Sequence, residues 1–527
     1  MNARDPLQPI QKGAPTLAAG AAALPPEGAR AGLGRPGVGP DEAEALGRFA
    51  ARAWDEEVVP RITDYIAVPA KSPMFDAEWQ EHGFIDRVVR DAAAWVERQR
   101  IAGLKLEVIR LEGRTPVIFF DVPATRTGGN DAGAQTVCLY GHLDKQPEFE
   151  GWKPGFGPWT PRFEDGRLYG RGGADDGYAI YAAITAIKSL DEQGIARPRC
   201  VGIIETCEES GSPDLPFYVD ALRERLGAIA LVVCLDSGAG NYDQLWLTTS
   251  LRGNITGTLK VEILTEGVHS GDASGVVPSS FRILRQVLDR LEDSKSGRLL
   301  PESFHCAIPV ERIEQAKAAA QILGDEVWKR FPWACGADGG ATLPTTTDPV
   351  EALINRTWRP TLSVTGVAGI PALKDAGNVL RPCTAFKLSL RTPPLVDGDA
   401  AAQALKKLLE DNAPYNAKVT FCTDGRPGHE NEAHGATGWN APTLAPWLEG
   451  ALHAASNAQF GAPCGFIGQG GTIPLMNMLS EGFPTSQMMV CGVLGPKSNA
   501  HGPNEFLHVP YAKKLTAAVA QVIARMP

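Results

Sequence analysis

Five short stretches of this 527-residue chain bring acids and histidines together at places where a strand is expected to end. They are GHLD (141–144), GGADDG (172–177), ETCEESGS (205–212), LDSG (235–238) and NAHGPNE (499–505). The adjacent carboxylates Asp175 and Asp176 pose the sharpest question, because neighbouring like charges resist ionising together unless something balances them. A helix N-terminus would do so through its dipole and free N–H groups. A bound cation is the other answer. Taken singly, each stretch has a plain reading: a turn-capping Asp, a solvated Glu pair, a loop histidine. Taken together they line one edge of one sheet, and in open α/β sheets ligands collect beyond the carboxyl ends of the strands. Mixed imidazole and carboxylate donors suit zinc or a similar divalent ion, and two cations sharing one carboxylate would keep it ionised beside its neighbour.

The elements that must position these residues read as alternating strands and helices. TVCLY (136–140), CVGIIE and ALVVCLD are short apolar strands, and DGYAIYAAITAIKSLDEQG between them is a helix. The fold class expected is α/β, a mostly parallel sheet with helices on both faces. The segment from Asp41 to Gln99 has helical periodicity. The texture changes near Leu251, where NITGTLKVEIL, TLSVTGVAG, TAFKLSLRT and AKVTFCT read as strands and SSFRILRQVLDRLEDS and AAQALKKLLEDN as helices. That is the size of an inserted two-layer α/β domain. From His429 the first pattern resumes, so the expected plan is a tail at 1–40, one domain made of 41–250 and 428–527, and an insert at 251–427.

Composition narrows the partners. A formal charge of −10 argues against nucleic acid, which calls for a basic footprint. No apolar run approaches the ~20 residues of a membrane span. Ten cysteines stand singly with no C-x-x-C pair, which reads as reduced thiols in a cytoplasmic protein rather than a disulfide framework. The Ala-, Gly- and Pro-rich N-terminus lacks a compact basic start and reads as a disordered tail, not a signal peptide.

GHLDKQP, LYGRGGADDG, ETCEESGS, LDSG and AHGPNE, in this order, resemble the motifs of the di-zinc metallopeptidases that include carnosinase-like dipeptidases, aminoacylase and succinyl-diaminopimelate desuccinylase. The resemblance runs from about Ala50 to the C-terminus. It implies two divalent metal ions per subunit, zinc first, with manganese or cobalt as alternatives. His142 and Asp236 would hold one, Glu209 and His501 the other, and Asp175 would bridge them. Asp176 would lie just outside the ligand set, with helix capping as a second role. Asp144 matches the acid that orients the histidine ring. Glu208 matches the general base, an unligated carboxylate placed to move protons between water and the leaving amine. The family commonly carries a lysine after the acid pair; here Gly177 and Tyr178 stand there. Glu505 is a familiar position of structural character.

By the same resemblance the insert is a lid and homodimerisation domain. His269, in EGVHSG, would reach the partner subunit's site and polarise the scissile carbonyl. Arg391 would grip a substrate carboxylate, a task suited to a bidentate fork. Asn378 and the Gly470–Pro474 loop, with Gly471 and Thr472, would be further substrate contacts. The plain alternatives are a turn histidine and a surface ion pair. An Asp at 236 accords with the dipeptidases of the family, whereas its deacylases tend to carry Glu. The expectation is therefore metal-dependent hydrolysis of small peptides, against an N-acyl amino acid deacylase and, in another class, a catalytically silent binding protein.

Overall fold

The computed structural model describes residues 38–125, 135–424 and 433–527. Residues 1–37 of the expected tail lie outside these, and Pro40 already opens the first helix, Pro40–Ala53. The α/β reading is what the structure has. Six strands form the main sheet in the order Lys105–Ile109, Val117–Val122, Arg199–Glu205, Thr136–His142, Ile229–Cys234 and Gln487–Val490. The four strands from Arg199–Glu205 onward pair in parallel, and the first two join as an antiparallel hairpin at one edge.

All seven residues of Thr136–His142 are buried, the continuous apolar pattern of a strand covered on both faces. One face packs against the helices Pro40–Ala53, Phe84–Arg98, Ala179–Glu192, Pro446–Phe460 and Val509–Arg525. The last of these buries 13 of its 17 residues, as a helix apolar on every side must. The other face is covered by Leu215–Leu226 and Pro474–Gly482, through Tyr218, Leu222, Met476 and Leu479.

A second sheet is wholly antiparallel, ordered Thr361–Ala368, Cys383–Thr392, Gly253–Glu262, Lys418–Thr423. Gly253–Glu262 alternates buried and partly exposed residues, the period-two pattern of a sheet with one covered face. Ser280–Leu288 and Gly398–Glu410 cover that face and close a separate core around Leu259, Val287, Leu388 and Leu405. The segment between these parts goes elsewhere: Val310–Leu323 and Pro349–Thr357 pack on the strand Gly465–Gln469 and join the first core through Ala319, Leu353 and Trp358.

Candidate di-metal active site

The strand ends gather the predicted ligands. Thr136–His142 delivers His142, and the glycine-rich turn Gly173–Gly177 delivers Asp175 and Asp176, joined by a cis peptide bond. The single turn Glu208–Ser210 follows the strand Arg199–Glu205, and Asp236 follows Ile229–Cys234. Two groups of donors result: His142, Asp175 and Asp236, and Asp175, Glu209 and His501. In each group one donor atom per residue lies within 4.8 Å of the others, and Asp175 belongs to both.

The individual distances have the same shape. His142 Nε2 is 3.5 Å from Asp175 Oδ1 and 3.9 Å from Asp236 Oδ2. His501 Nε2 is 2.9 Å from Asp175 Oδ2 and 3.4 Å from Glu209 Oε2. Buried His142 Nε2 and Glu209 Oε1 have no hydrogen-bond partner among the described residues. Orphaned buried donors and acceptors of this kind are costly, and cations between the two histidines and three acids would satisfy them. The residues present therefore fit a pair of divalent ions.

Electrostatics divide the opening pair of acids. Burial works to raise Asp175, but contacts from His142 and His501 overcome it and hold the carboxyl below its usual range. Asp176, fully buried, is pushed well above that range by burial, reinforced by its neighbour's charge. Burial also pushes Glu208 and Asp236 well up, and Glu209 up to about 7, with nearby carboxylates adding to it. Burial opposes a charge on His501 too, but Glu209 and Asp175 raise it to about 10. The cluster holds more acid than its own cations neutralise, the condition a bound metal reverses.

The helix-capping role for Asp176 is not what the structure has. Ala179–Glu192 carries no side-chain cap, and Asp176 Oδ2 accepts instead from the His142 backbone N–H at 3.4 Å. Gly141 makes room for this contact, since a Cβ there would stand 2.8 Å from that oxygen. The departure at Gly177 also has a steric reason: a Cβ would sit 2.1 Å from the Tyr65 ring. Tyr178 donates its hydroxyl to the Leu235 carbonyl, directly before Asp236.

Asp144 does more than orient the histidine. His142 Nδ1 lies 3.1 Å from its carbonyl oxygen and 3.5 Å from Oδ1. The same carboxylate accepts from the backbone N–H groups of Glu208 (3.1 Å) and Glu209 (2.9 Å), so one side chain sets the ring and the turn together. Glu505 has a structural role. Buried with Arg171, it accepts from Gly172 N–H at 2.9 Å, while Arg171 donates to the carbonyls of His501 and Gly502. The glycine-rich turn is thereby tied to the His501 loop. Sequence reasoning missed Gln146, whose amide donates to Glu209 Oε2 at 2.5 Å. It lies inside GHLDKQP, but an uncharged amide gives no signature of its own.

The substrate residues expected on the insert divide in two. Arg391 is half-buried and donates to the Thr472 hydroxyl at 3.3 Å, rather than pairing with a carboxylate among the described residues. Thr472 in turn donates to the Arg252 carbonyl. Gly471, just before it, is exposed with open space where a Cβ would be. Gln469, at the start of this loop, lies against Gly238, two residues past Asp236. His269 and Asn378 are not gathered at the cluster. They sit together on an exposed two-stranded ribbon, Val268–His269 with Val379–Leu380, where Ser270 N–H donates to the Asn378 carbonyl at 2.9 Å. His269 Nδ1 accepts from Gly271 N–H at 3.1 Å.

Known proteins place the whole arrangement. The chain is 28% identical over 439 residues to a cysteinylglycine-S-conjugate dipeptidase of Corynebacterium striatum, covering 80% of this chain and 88% of that one. It is 25% identical over 451 residues to the human Beta-Ala-His dipeptidase, covering 81% and 82%. The crystal structure of human carnosine dipeptidase 1 has the same fold, with a TM-score of 0.71 at 23% identity over 92% of this chain and 100% of that one. Residues 138–525 match the model of peptidase family M20/M25/M40, and a match over that much of the chain means that the protein belongs to this metallopeptidase family.

Proposed function

We propose that the protein is a zinc-dependent dipeptidase that cleaves the amide bond of small peptides, with His142, Asp175, Glu209, Asp236 and His501 as metal ligands and Glu208 as general base. The observation that carries the reading is the pair of three-residue donor groups sharing Asp175, with Glu208 beside them and outside both. Both curated relatives described above are named as dipeptidases. A pair of divalent ions held by His142, Asp175, Glu209, Asp236 and His501 would supply Lewis-acid polarisation of the scissile carbonyl and of the attacking water. The chain does the rest. Glu208, free of the ligand set and half-buried, takes a proton from water and returns it to the leaving amine. Asp144 fixes the Glu208 backbone, so the base keeps its place through the transfer. Arg391, Thr472 and Gly471 receive the substrate's carboxylate, and a guanidinium with no carboxylate partner among the described residues is suited to it.

The division into a catalytic part at 41–250 and 428–527 and a lid at 251–427, less the helices Val310–Leu323 and Pro349–Thr357 that join the first core, belongs to this proposal, as does a homodimer formed through the lid. Thr361–Ala368 supports it: this edge strand has no buried residue and, among the described residues, a neighbour on one side only. Unpaired edges are templates for pairing with a second chain. His269 and Asn378, on the exposed ribbon, would then serve the partner's site. A cytoplasmic setting is supported by ten free cysteines. Among the described residues no helix is long and apolar enough to cross a membrane.

The test is a panel of plain dipeptides, β-alanyl dipeptides and N-acetyl amino acids, assayed with Zn²⁺, with Mn²⁺ and with chelator. Metal-dependent cleavage of the free-amine dipeptides alone is the expected result. Cleavage of only the acylated compounds would move the function to a deacylase, and no turnover by metal-loaded protein would leave a binding protein.

A further inference from the structure

The segment from Tyr65 to Phe75 lies outside residues 138–525, the part matched by the family. It nevertheless touches both loops that carry the chemistry. The Tyr65 hydroxyl donates to the Leu143 carbonyl at 3.0 Å, between His142 and Asp144. Lys145, fully buried, donates from Nζ to the carbonyls of Tyr65 (2.7 Å) and Val68 (2.8 Å), closing off the end of the helix Val59–Ile66. The Lys145 carbonyl accepts from Ser72 N–H at 2.9 Å. The backbone is thus stapled alongside the 142–145 loop, and Ser72 is carried to the next one.

There the single turn Pro73–Phe75 packs against the single turn Glu208–Ser210. Ser72 Oγ lies 2.5 Å from Ser210 Oγ, and Met74 N–H donates to the same Ser210 oxygen at 3.0 Å. Ser72 is completely buried. The Glu208–Ser210 turn is short and ends at a left-handed Gly211, so it has no helix of its own to hold it. Its fixed points come from outside. On one side the Asp144 carboxylate takes the N–H groups of Glu208 and Glu209, and on the other Ser72 and Met74 take Ser210.

We propose that Ser72 is a positioning residue of the active site, which acts through Ser210 to hold the Glu208–Glu209 turn in register with the metal cluster. The inference rests on the roles given above to Glu208 and Glu209. A hydroxyl pair of this kind, with Ser72 fully buried, fixes the angle at which both glutamates leave the backbone. Glu208 gains a constant distance to the reacting water, and Glu209 a constant angle to His501. Losing the contact loosens the Ser210 side of the turn, leaving it to Met74 while Asp144 and Gln146 hold the other, which misplaces the two carboxylates without unfolding anything. Small misplacements of this sort are expensive in catalysis.

The test compares Ser72→Ala, Ser72→Thr and Ser210→Ala in the full-length, metal-loaded protein. Ser72→Ala is expected to lower kcat about tenfold, the scale of one lost buried hydrogen bond, with KM within about twofold. Titration with Zn²⁺ against a chromophoric chelator is expected to show the weaker of two sites loosened by a similar factor, with the other unchanged. Ser72→Thr, which keeps the hydroxyl, is expected to recover most of both. Ser72→Ala combined with Ser210→Ala is expected to be no worse than Ser210→Ala alone, because Ser210→Ala already removes the contact with Ser72 together with the one from Met74. Unchanged kcat or unchanged metal affinity in Ser72→Ala would overturn the proposal, as would losses that only track a fall in Tm. The metal titration reads the turn whether or not the peptide panel yields a substrate. Wild-type protein that binds no divalent metal would overturn both readings, whereas two bound ions held equally well by Ser72→Ala would overturn this one alone.

Discussion

In the metal cluster four of the five candidate ligands are braced from behind by their own chain. Asp144 and Asp176 brace His142, Gln146 braces Glu209, Tyr178 fixes the backbone before Asp236, and Arg171 fixes the His501 loop. On the insert, His269 and Asn378 have no such backing. They stand exposed on a ribbon two residues long, and the imidazole's hydrogen bond goes to a backbone amide two positions away. The contrast separates what one chain completes from what it leaves for something else to complete. Preorganised charge is effective because it need not reorganise during the reaction, which suits the cluster. An exposed imidazole does useful work only once a second surface closes around it.

The strongest way to break the comparison is at the base. Glu208→Gln keeps the shape of the side chain and removes its proton chemistry. Turnover is expected to fall by about 10²–10⁴-fold, while two metal ions remain bound, read by metal analysis alongside kcat. Loss of metal together with turnover would make Glu208 a ligand, and the division between ligand and base would fail.

The clusters that hold these residues were legible in the sequence for a physical reason, whereas the division between ligand and base was implied by the family resemblance. Candidate metal ligands are charged or aromatic, cluster at strand ends and keep their order along the chain, so the stretches that carry His142, Asp175, Glu209, Asp236 and His501 stand out by type and place. The bracing residues do not. Ser72, Gln146 and Ser210 are small or uncharged, and their importance comes from a fold that brings positions 72 and 210 to 2.5 Å. The main sheet was readable because buried parallel strands are unbroken apolar runs. Its antiparallel edge, Lys105–Ile109, was not, because no residue of that strand is buried and the sequence there alternates without contrast. The packing of Val310–Leu323 on the first core was likewise hidden, since an amphipathic pattern says that a face is covered but not by which sheet.

Next in size is the exposed ribbon. His269→Ala is expected to lower kcat by about 10²–10³-fold if the imidazole stabilises developing charge on the carbonyl of a partner's substrate. Mixing separately inactive Glu208→Gln and His269→Ala chains sharpens the point. Random reassociation should restore about a quarter of the wild-type rate, because half the dimers are mixed and each has one complete site. No recovery after subunit exchange has been verified by mass would confine His269 to its own chain.

Arg391 belongs to the insert but leans on the Gly470–Thr472 loop beside the cluster, so it sits between the two regions. Arg391→Lys retains charge and loses the fork. KM for dipeptides is expected to rise about tenfold with kcat changed less, as one of two parallel hydrogen bonds is lost. An equal fall in kcat would mean that this arginine acts in the transition state and not in binding.

The smallest effect on catalysis belongs to the insert's own core, and it separates stability from chemistry. Leu405 is fully buried between the helix Gly398–Glu410 and the second sheet, far from any ligand in sequence and in a core of its own. Leu405→Ala removes apolar contacts and leaves a cavity, a change worth about 2–5 kcal/mol of stability. Because the two sheets close separate cores, the loss should appear as an early unfolding step of the insert, with the metal-binding part melting at its former temperature. Below that first transition kcat is expected to stay within about twofold of wild type, as the change touches no residue that meets substrate. A single cooperative transition shifted as a whole would mean that the two regions fold as one unit. The insert could then not move independently as a lid, and the exposed ribbon would have to reach a partner's site as part of a rigid body.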